Sequence, residues 1–260
     1  MSYTIEQLQQ YSRENMQGCS RLINEYREAV KAPHYYTAEE IRELSEKLEN
    51  AICKNHTAKM QGMQSLSTSP LENKECIRRK EQKGTICYKC FSFRQLNRQK
   101  NTREKLSRNT ALLCHEVLPW EALPVIDADI FRLEAFADLQ SVQQALNYIN
   151  ICRKNPESLF TIWTKNHYYL FYALVFSGCK KPENLIVIYS SPVINKVAEN
   201  MLKLYRLPDG SQLIDKIFTV YTKTYAADKN ININCGAKNC RSCKLCYCHN
   251  NIKFISELLK

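Results

Sequence analysis

Glycine and proline are scarce in this sequence, at six and eight of 260 residues, so most of the chain should form helices and strands. Long apolar runs are also missing, because the longest lies near residues 168–177 and is too short to cross a bilayer. The first residues, Met1-Ser-Tyr-Thr4, lead into a polar helical pattern and not into an apolar signal segment. We therefore expect a protein with no membrane partner.

Cysteine, in contrast, is abundant, with thirteen residues. Such a count would fit a disulfide scaffold only in a secreted chain, and the beginning of the sequence does not resemble a secreted one. We expect a reducing, cytoplasmic setting, where closely spaced cysteines favour metal sites over disulfides.

The first cysteine group consists of Cys76, Cys87 and Cys90, and it ends in a C-x2-C pair. Two thiolates at this spacing can point at one centre, as in zinc and iron–sulfur sites. Three thiolates leave one coordination position open, so a [4Fe–4S] cluster here could bind S-adenosylmethionine (SAM). Alternatively, a cysteine from elsewhere closes the site, or all seven clustered cysteines build one or two structural centres.

The second cysteine group is Cys235, Cys240, Cys243 and Cys246, with the spacing C-x4-C-x2-C-x2-C. Four thiolates satisfy a tetrahedral zinc ion, and similar spacings hold iron–sulfur clusters, so the sequence predicts a metal site of either kind. Cys248 lies too close to Cys246 for one ion to chelate both easily, and we leave it out.

The region between the two groups alternates between strand and helix patterns. Strands are predicted at about residues 63–67, 130–136, 159–164, 184–190, 216–221 and 231–233, and helices at about 93–115, 141–153, 167–176 and 195–205. This rhythm predicts an α/β fold, a partial (β/α) barrel of about six mostly parallel strands. We divide the chain into an N-terminal helical segment (1–57, with helices near 4–30 and 37–51), the barrel (58–234), and the four-cysteine site with a helix (235–260).

Polar residues occur within or just after the predicted strands. They are Arg132, Glu134, Asp138, Lys165 and Ser190. Since parallel strands end at one edge of a sheet, these side chains are candidates for binding a cofactor there. Ordinary helix capping is the alternative for Asp138, whereas Arg132 and Glu134 lie in an apolar run where an unpaired charge is costly.

The net charge of +11 is concentrated in one stretch. Residues 72–108 hold twelve Lys or Arg against four Asp or Glu. A basic block over residues 74–108 suggests an anionic partner such as nucleic acid, although it could equally be a solvated helix face whose charges offset thiolates and sulfide.

Five stretches carry a resemblance to a known family: Ser65-Leu-Ser-Thr-Ser69, Ile86-Cys-Tyr-Lys-Cys-Phe91, Phe131-Arg-Leu-Glu-Ala-Phe-Ala-Asp-Leu139, Phe160-Thr-Ile-Trp-Thr-Lys-Asn166 and the terminal cysteine run. Over residues 59–260 the chain resembles the gene product 88-like proteins of phages and mobile elements. The C-x2-C followed by an aromatic residue also looks like the end of a radical-SAM cluster loop, which in such enzymes follows the first strand of a six-stranded partial barrel. The usual C-x3-C-x2-C is absent here, since ten residues separate Cys76 from Cys87.

Two functional hypotheses follow. In the first, the protein is a radical-SAM-like enzyme in which Cys76, Cys87 and Cys90 hold a [4Fe–4S] cluster, and Glu134, Lys165 and Ser190 line the SAM pocket. In the second, it is a non-enzymatic module that is stabilised by zinc or an iron–sulfur cluster and binds nucleic acid through the basic block.

Overall fold

The computed structural model describes residues 23, 24, 26, 27, 35–236 and 239–259. The helix predicted over about residues 4–30 lies almost entirely outside the described residues. Within it, Ile23 is buried in the core and the Tyr26 hydroxyl donates a hydrogen bond to the Phe176 carbonyl at 3.0 Å.

Six parallel strands form one open sheet in the described part of the chain, and their order across the sheet is their order in the sequence. The strands are β1 Gln64–Leu66, β2 Ile130–Leu133, β3 Leu159–Thr164, β4 Leu185–Ser190, β5 Lys216–Tyr221 and β6 Phe254–Leu258. The predicted α/β fold is confirmed. The strand predicted at residues 231–233 is wrong, because the sixth strand lies beyond the second cysteine group.

Helices alternate with these strands. They are α1 Ala38–Ala51, α2 Lys74–Lys80, α3 Phe91–Leu96, α4 Lys100–Leu113, α5 Val142–Lys154, α6 Tyr168–Ser177, α7 Met201–Leu204, α8 Lys223–Asp228 and α9 Cys240–Cys243. The expected long basic helix is divided into α3 and α4. Segment 235–260 contains the short α9 and also contributes β6, so its residues complete the sheet of the predicted barrel segment.

Local sequence signals set several helix ends. Thr37 and Glu40 form a capping box at α1, the Ser141 hydroxyl caps α5, and Gly178 ends α6 in the left-handed conformation with φ 65°. The helix expected from residue 195 begins only at Met201. Asn195 is instead tied to β5, since its N–H donates to the Val220 carbonyl at 2.9 Å.

The two faces of the sheet have different partners. On the first, here called the helix face, alternate strand residues join α5 and α6 in the main core: Phe131, Leu133, Phe160, Ile162, Leu185, Val187 and Ile217. On the second, here called the cysteine face, Ile130, Ile186, Ile188 and Ile255 pack against the second cysteine group. Crossovers between parallel strands are right-handed as a rule, which puts the connecting helices on one face, so the other face needs a separate cover.

An ion pair connects the two edges of the sheet across the cysteine face. Lys59, shortly before β1, lies 2.6 Å from the carboxylate of Glu257 on β6. The pair thus brings together segments beside the first and last strands, whose axes would be about 24 Å apart in a flat sheet at ~4.8 Å per strand.

None of the described helices is both long and apolar enough to span a membrane.

Candidate metal centres

Cys76 is placed at the carboxyl edge of the sheet by the cap of its helix. The fully buried Asn73 precedes α2, and its Oδ1 accepts hydrogen bonds from the N–H groups of Glu75 at 3.0 Å and Cys76 at 3.1 Å. The Asn73 Nδ2 donates to the Asp138 carbonyl at 2.7 Å. One side chain thus joins the loop after β1, which carries Cys76, to the loop after β2.

Cys87 and Cys90 lie on a tight turn that is anchored to the segment after β4. The Ile86 N–H donates to the Pro192 carbonyl at 2.9 Å, and Gly84, with φ 79°, accepts from the Ile194 N–H at 3.3 Å. The Cys90 N–H donates to the Cys87 carbonyl at 3.0 Å, which closes the turn. The C-x2-C pair therefore lies at the same edge of the sheet as Cys76.

The three thiols of the first group lie within electrostatic range of one another. Burial raises the pKa of Cys76, and so do the charges of Asp138, Cys87 and Cys90, while Lys165 lowers it. Burial also raises the pKa of Cys87, and the charge of Lys165 opposes that rise. The three cysteines are therefore neighbours at the carboxyl edge of the sheet, and their joint binding of a metal stays a prediction.

Three of the predicted cofactor residues surround this first group. The Asp138 carboxylate accepts hydrogen bonds from the Thr164 hydroxyl and from the Lys165 N–H, the latter at 3.0 Å. The Lys165 ammonium donates to the Ser190 hydroxyl at 3.1 Å. These contacts hold charged and polar groups from the ends of β3 and β4 beside the cysteines.

Sequence reasoning missed Arg79 and His167 here. Arg79 lies 3.7 Å from the Asp138 carboxylate, donates to the Asn166 side chain at 2.6 Å, and lowers the pKa of Cys87. His167 is buried, its Nε2 has no hydrogen-bond partner among the described residues, and burial lowers its pKa to about 4. Arg79 was hidden in a run of basic residues, and His167 looked like an ordinary helix start.

Glu134 has its partners inside the protein. Its carboxylate accepts hydrogen bonds from the Thr68 N–H at 3.2 Å and hydroxyl at 2.9 Å, from Gln144 Nε2 at 2.6 Å, and from the Tyr148 hydroxyl. Burial raises its pKa to about 7. The sequence suggested a cofactor as the partner for this charge, whereas the structure supplies side chains of α5 and the loop after β1.

Arg132 belongs to the cysteine face and not to the strand-end group. Its guanidinium carbon lies 4.1 Å from the centre of the Trp163 ring. Burial raises the pKa of Cys240 and Cys246, and the charge of Arg132 opposes that rise. Its buried Nε has no hydrogen-bond partner within the described ranges. Arg132 therefore places positive charge beside the second cysteine group.

The four predicted ligands of the second group line one small cavity of about 20 Å³. Cys235, Cys240, Cys243 and Cys246 share it with Lys59, Leu245 and Tyr247. Cys248 is not among the lining residues, and its sulfur accepts a hydrogen bond from Asn250 at 2.9 Å. The tertiary structure thus brings together the four cysteines that the spacing had grouped.

Lysines hold this segment in place, although their role was not predicted from the sequence. The Lys59 ammonium lies 3.6 Å from the Cys235 sulfur. Lys216, at the start of β5, is only 2% exposed and donates to the carbonyls of Leu245 at 2.8 Å and Cys248 at 2.9 Å and to the Asn250 side chain at 2.8 Å. A lysine opening an apolar strand was the one signal that could have identified this contact.

The two groups differ in how well their donors suit a metal centre. No three Cys, His, Asp or Glu side chains of the described chain are already placed to hold a single metal ion. The second group nevertheless offers four thiols around one cavity with Lys59 and Arg132 beside it, a donor set that suits zinc or an iron–sulfur cluster. The first group offers three thiols beside two cations, which suits a cluster more than a closed tetrahedral ion.

Comparison with known proteins gives one family. Residues 37–254 match the family model described as gene product 88. The matched region runs from the cap of α1 to the first residue of β6 and contains both cysteine groups. No curated protein and no solved structure matches the chain.

Proposed function

This chain belongs to the gene product 88 family, and on that premise we propose that it is an iron–sulfur protein with a radical-SAM-like reaction centre. Cys76, Cys87 and Cys90 would hold a [4Fe–4S] cluster at the carboxyl edge of the sheet. When bound and reduced, such a cluster supplies the electron that cleaves SAM to a carbon radical. The observation that carries the proposal is the meeting of three thiols with Lys165 and Arg79 at this edge.

The chain's own residues would bind and orient a zwitterionic cofactor. Lys165 and Arg79 present cations that suit a carboxylate, and Asp138 presents a carboxylate that suits an ammonium group. Ser190 fixes the Lys165 ammonium by its hydrogen bond. Glu134, which we expected beside the cofactor, would act one step away, by holding the loop after β1 that leads to Cys76.

The second group would form a separate structural centre of zinc or iron–sulfur type. Its four thiols line one cavity that lies against the cysteine face, while the first group lies at the edge of the sheet. All twelve cysteines that the structure describes are free, which supports a reducing, cytoplasmic setting.

The reaction centre is tested by anaerobic reconstitution. We expect a [4Fe–4S] spectrum that changes when SAM is added, and slow accumulation of 5′-deoxyadenosine on reduction. Cys87→Ala or Cys90→Ala should abolish both effects, whereas the matched variant Cys53→Ala, away from both groups, should retain them. Zinc in place of iron, or a cluster spectrum that does not change with SAM, would contradict the proposed radical-SAM-like activity.

The structural centre is tested by Cys243→Ser. Because metal binding and folding are coupled, we expect this variant to lose metal and to give a lower folding yield. Soluble Cys243→Ser protein with unchanged stability and metal content would contradict the proposal.

A specific observation favours nucleic-acid binding as a second function. Arg94, Arg98 and Arg103 on α3, α4 and the turn between them are exposed, and none forms an ion pair with a described residue. Reversing the three charges should weaken binding of DNA or RNA strongly with little effect on stability. If the unaltered protein showed no salt-sensitive binding to any DNA or RNA, this function would lose its support.

A further inference from the structure

We propose that the first cysteine group is the docking point of a single-stranded nucleic acid, whose bases stack on Tyr88 and Phe91 and whose phosphates lie along α3 and α4. The inference deepens the proposed function, because it names single-stranded nucleic acid as the substrate class of the proposed reaction centre. In that respect it rests on the proposed function. Its basis is a set of exposed apolar side chains beside these three cysteines, followed along the chain by exposed cations that form no ion pair with a described residue.

Four of the ten large apolar side chains that are exposed in the described chain lie at this group. Ile77, next to Cys76, is 42% exposed; Tyr88, between Cys87 and Cys90, is 41% exposed; and Phe91, next to Cys90, is 54% exposed. Val193, which pairs with Thr85 of the same turn, is 43% exposed. Four exposed apolar side chains beside one group of cysteines form a candidate contact surface for a partner.

The aromatic rings are held in place and not merely exposed. The Lys80 ammonium lies 5.4 Å from the centre of the Tyr88 ring and donates to the Tyr88 carbonyl at 2.8 Å. The Phe91 ring packs against Phe136, with the ring centres 6.2 Å apart. Each ring is fixed by one neighbour and has a substantial part of its surface exposed. A flat group such as a nucleobase can therefore stack on it.

The charges around these rings identify the class of partner. Lys83 and Lys89 flank the turn and are exposed, and four exposed arginines follow along the chain on α3, α4 and the turn between them: Arg94, Arg98, Arg103 and Arg108. None of these six residues forms an ion pair within the described part of the chain. Aromatic platforms combined with a positive track are the means by which proteins hold single strands, because every base has a face to stack and every nucleotide has a phosphate.

The test measures fluorescence anisotropy of labelled 20-nucleotide DNA and RNA strands, and of the matching duplexes, over a range of salt concentrations. We expect the single strands to bind more tightly than the duplexes. Tyr88→Ala and Phe91→Ala should each weaken single-strand binding by at least about 5-fold without changing the salt slope. The triple variant Arg94→Glu, Arg98→Glu, Arg103→Glu should reduce the salt slope itself.

Matched variants separate the site from general effects. Tyr35→Ala removes another exposed ring, and Lys203→Glu with Lys229→Glu reverses exposed charges elsewhere; both should bind like the unaltered protein. A strand carrying 5-iodouracil should crosslink on irradiation to Tyr88 or Phe91, which mass spectrometry identifies.

Equal affinity for strands and duplexes together with unchanged binding in Tyr88→Ala and Phe91→Ala would overturn the proposal. So would stronger binding of polyglutamate or of phosphatidylserine vesicles that depends on the same two rings. Iron and acid-labile sulfide, measured in the same preparations, report separately on the proposed function. Protein without iron that still binds and crosslinks the strand would uphold the docking surface and reject the iron–sulfur centre.

Discussion

Single buried charges hold this protein's cysteine segments in place, and Lys216 is the clearest example. Its ammonium donates to Leu245, Cys248 and Asn250, each of which belongs to the segment that carries the second cysteine group. A charge inside a protein is tolerated when every donor has a partner, and here the partners belong to the segment that carries the second cysteine group. The cysteines of the second group thus depend for their position on a residue that is not one of the proposed metal ligands.

We predict that Lys216→Met lowers the free energy of unfolding by about 3 kcal/mol, because three acceptors lose a charged donor. Chemical denaturation and metal analysis measure both consequences, and metal should be lost from the second centre before the first. Lys203→Met, at an exposed position, is the matched control. Unchanged stability and metal content in Lys216→Met would show that the segment is held by its apolar contacts alone.

Glu134 should make the stability of the fold depend on pH. Its pKa rises from 4.5 to about 7, mainly through burial, so the folded state holds a proton that the unfolded state releases above about pH 4.5. Stability should therefore fall as pH rises from about 5 to 7, by up to about 3 kcal/mol from this residue. Glu134→Gln should flatten that part of the profile. Parallel profiles for the two proteins between pH 5 and 8 would contradict this origin.

At the scale of elements, both cysteine groups use a short helix that begins with asparagine. Asn73 caps α2 and fixes Cys76, and Asn239 caps α9, where its Oδ1 accepts from Arg241 at 2.8 Å and Ser242 at 3.2 Å. Helices this short are not stable by themselves, so the cap and the surrounding contacts decide whether they form. An asparagine cap therefore positions cysteines of both groups, which lie on different parts of the sheet.

Removing each cap should affect its own site. Asn73→Ala should cost about 2 kcal/mol, since it also breaks the buried bond to the Asp138 carbonyl, and it should reduce iron at the first centre. Asn239→Ala, at an exposed helix start, should cost about 1 kcal/mol or less and reduce metal only at the second centre. Thermal unfolding and metal content of the two variants provide the comparison. Equal losses at both centres in either variant would mean that the sites do not form independently.

On the scale of the whole molecule, the chain covers the two faces of its sheet by different means. Helices between consecutive strands cover one face, and the segment between α8 and β6 returns over the other. Lys59 connects the beginning of the sheet to both Cys235 and Glu257 near its end. The second cysteine group therefore also joins parts of the chain that are distant in sequence.

A double-mutant cycle on Lys59→Met and Glu257→Gln should give a coupling energy of about 1 kcal/mol, as expected for a partly exposed ion pair. Equilibrium unfolding of the four proteins measures it. We also expect Lys59→Met to weaken metal retention at the second centre, because its ammonium no longer offsets the thiolate of Cys235. Additive effects of the two changes would show that the edges are held together by other contacts.

The sequence by itself determined the features that depend on local chemistry. Apolar and β-branched runs placed β2 to β5, the capping box of Thr37 and Gly178 marked helix ends, and cysteine spacing grouped the four residues that line one cavity. These signals are readable because each depends on residues a few positions apart, whose backbone geometry the intervening chain fixes.

Only the tertiary structure decided the features that join distant parts of the chain. It put β6 beyond the second cysteine group, where residues 231–233 had been expected to supply the last strand, and it directed Arg132 to the cysteine face. It also gave Glu134 its partners Thr68, Gln144 and Tyr148, which are separated from it by 10 to 66 residues. A charged residue in an apolar run indicates from the sequence alone that a partner is needed. Which group becomes that partner depends on how the strands and helices pack, and the packing energy is shared among residues far apart in the chain.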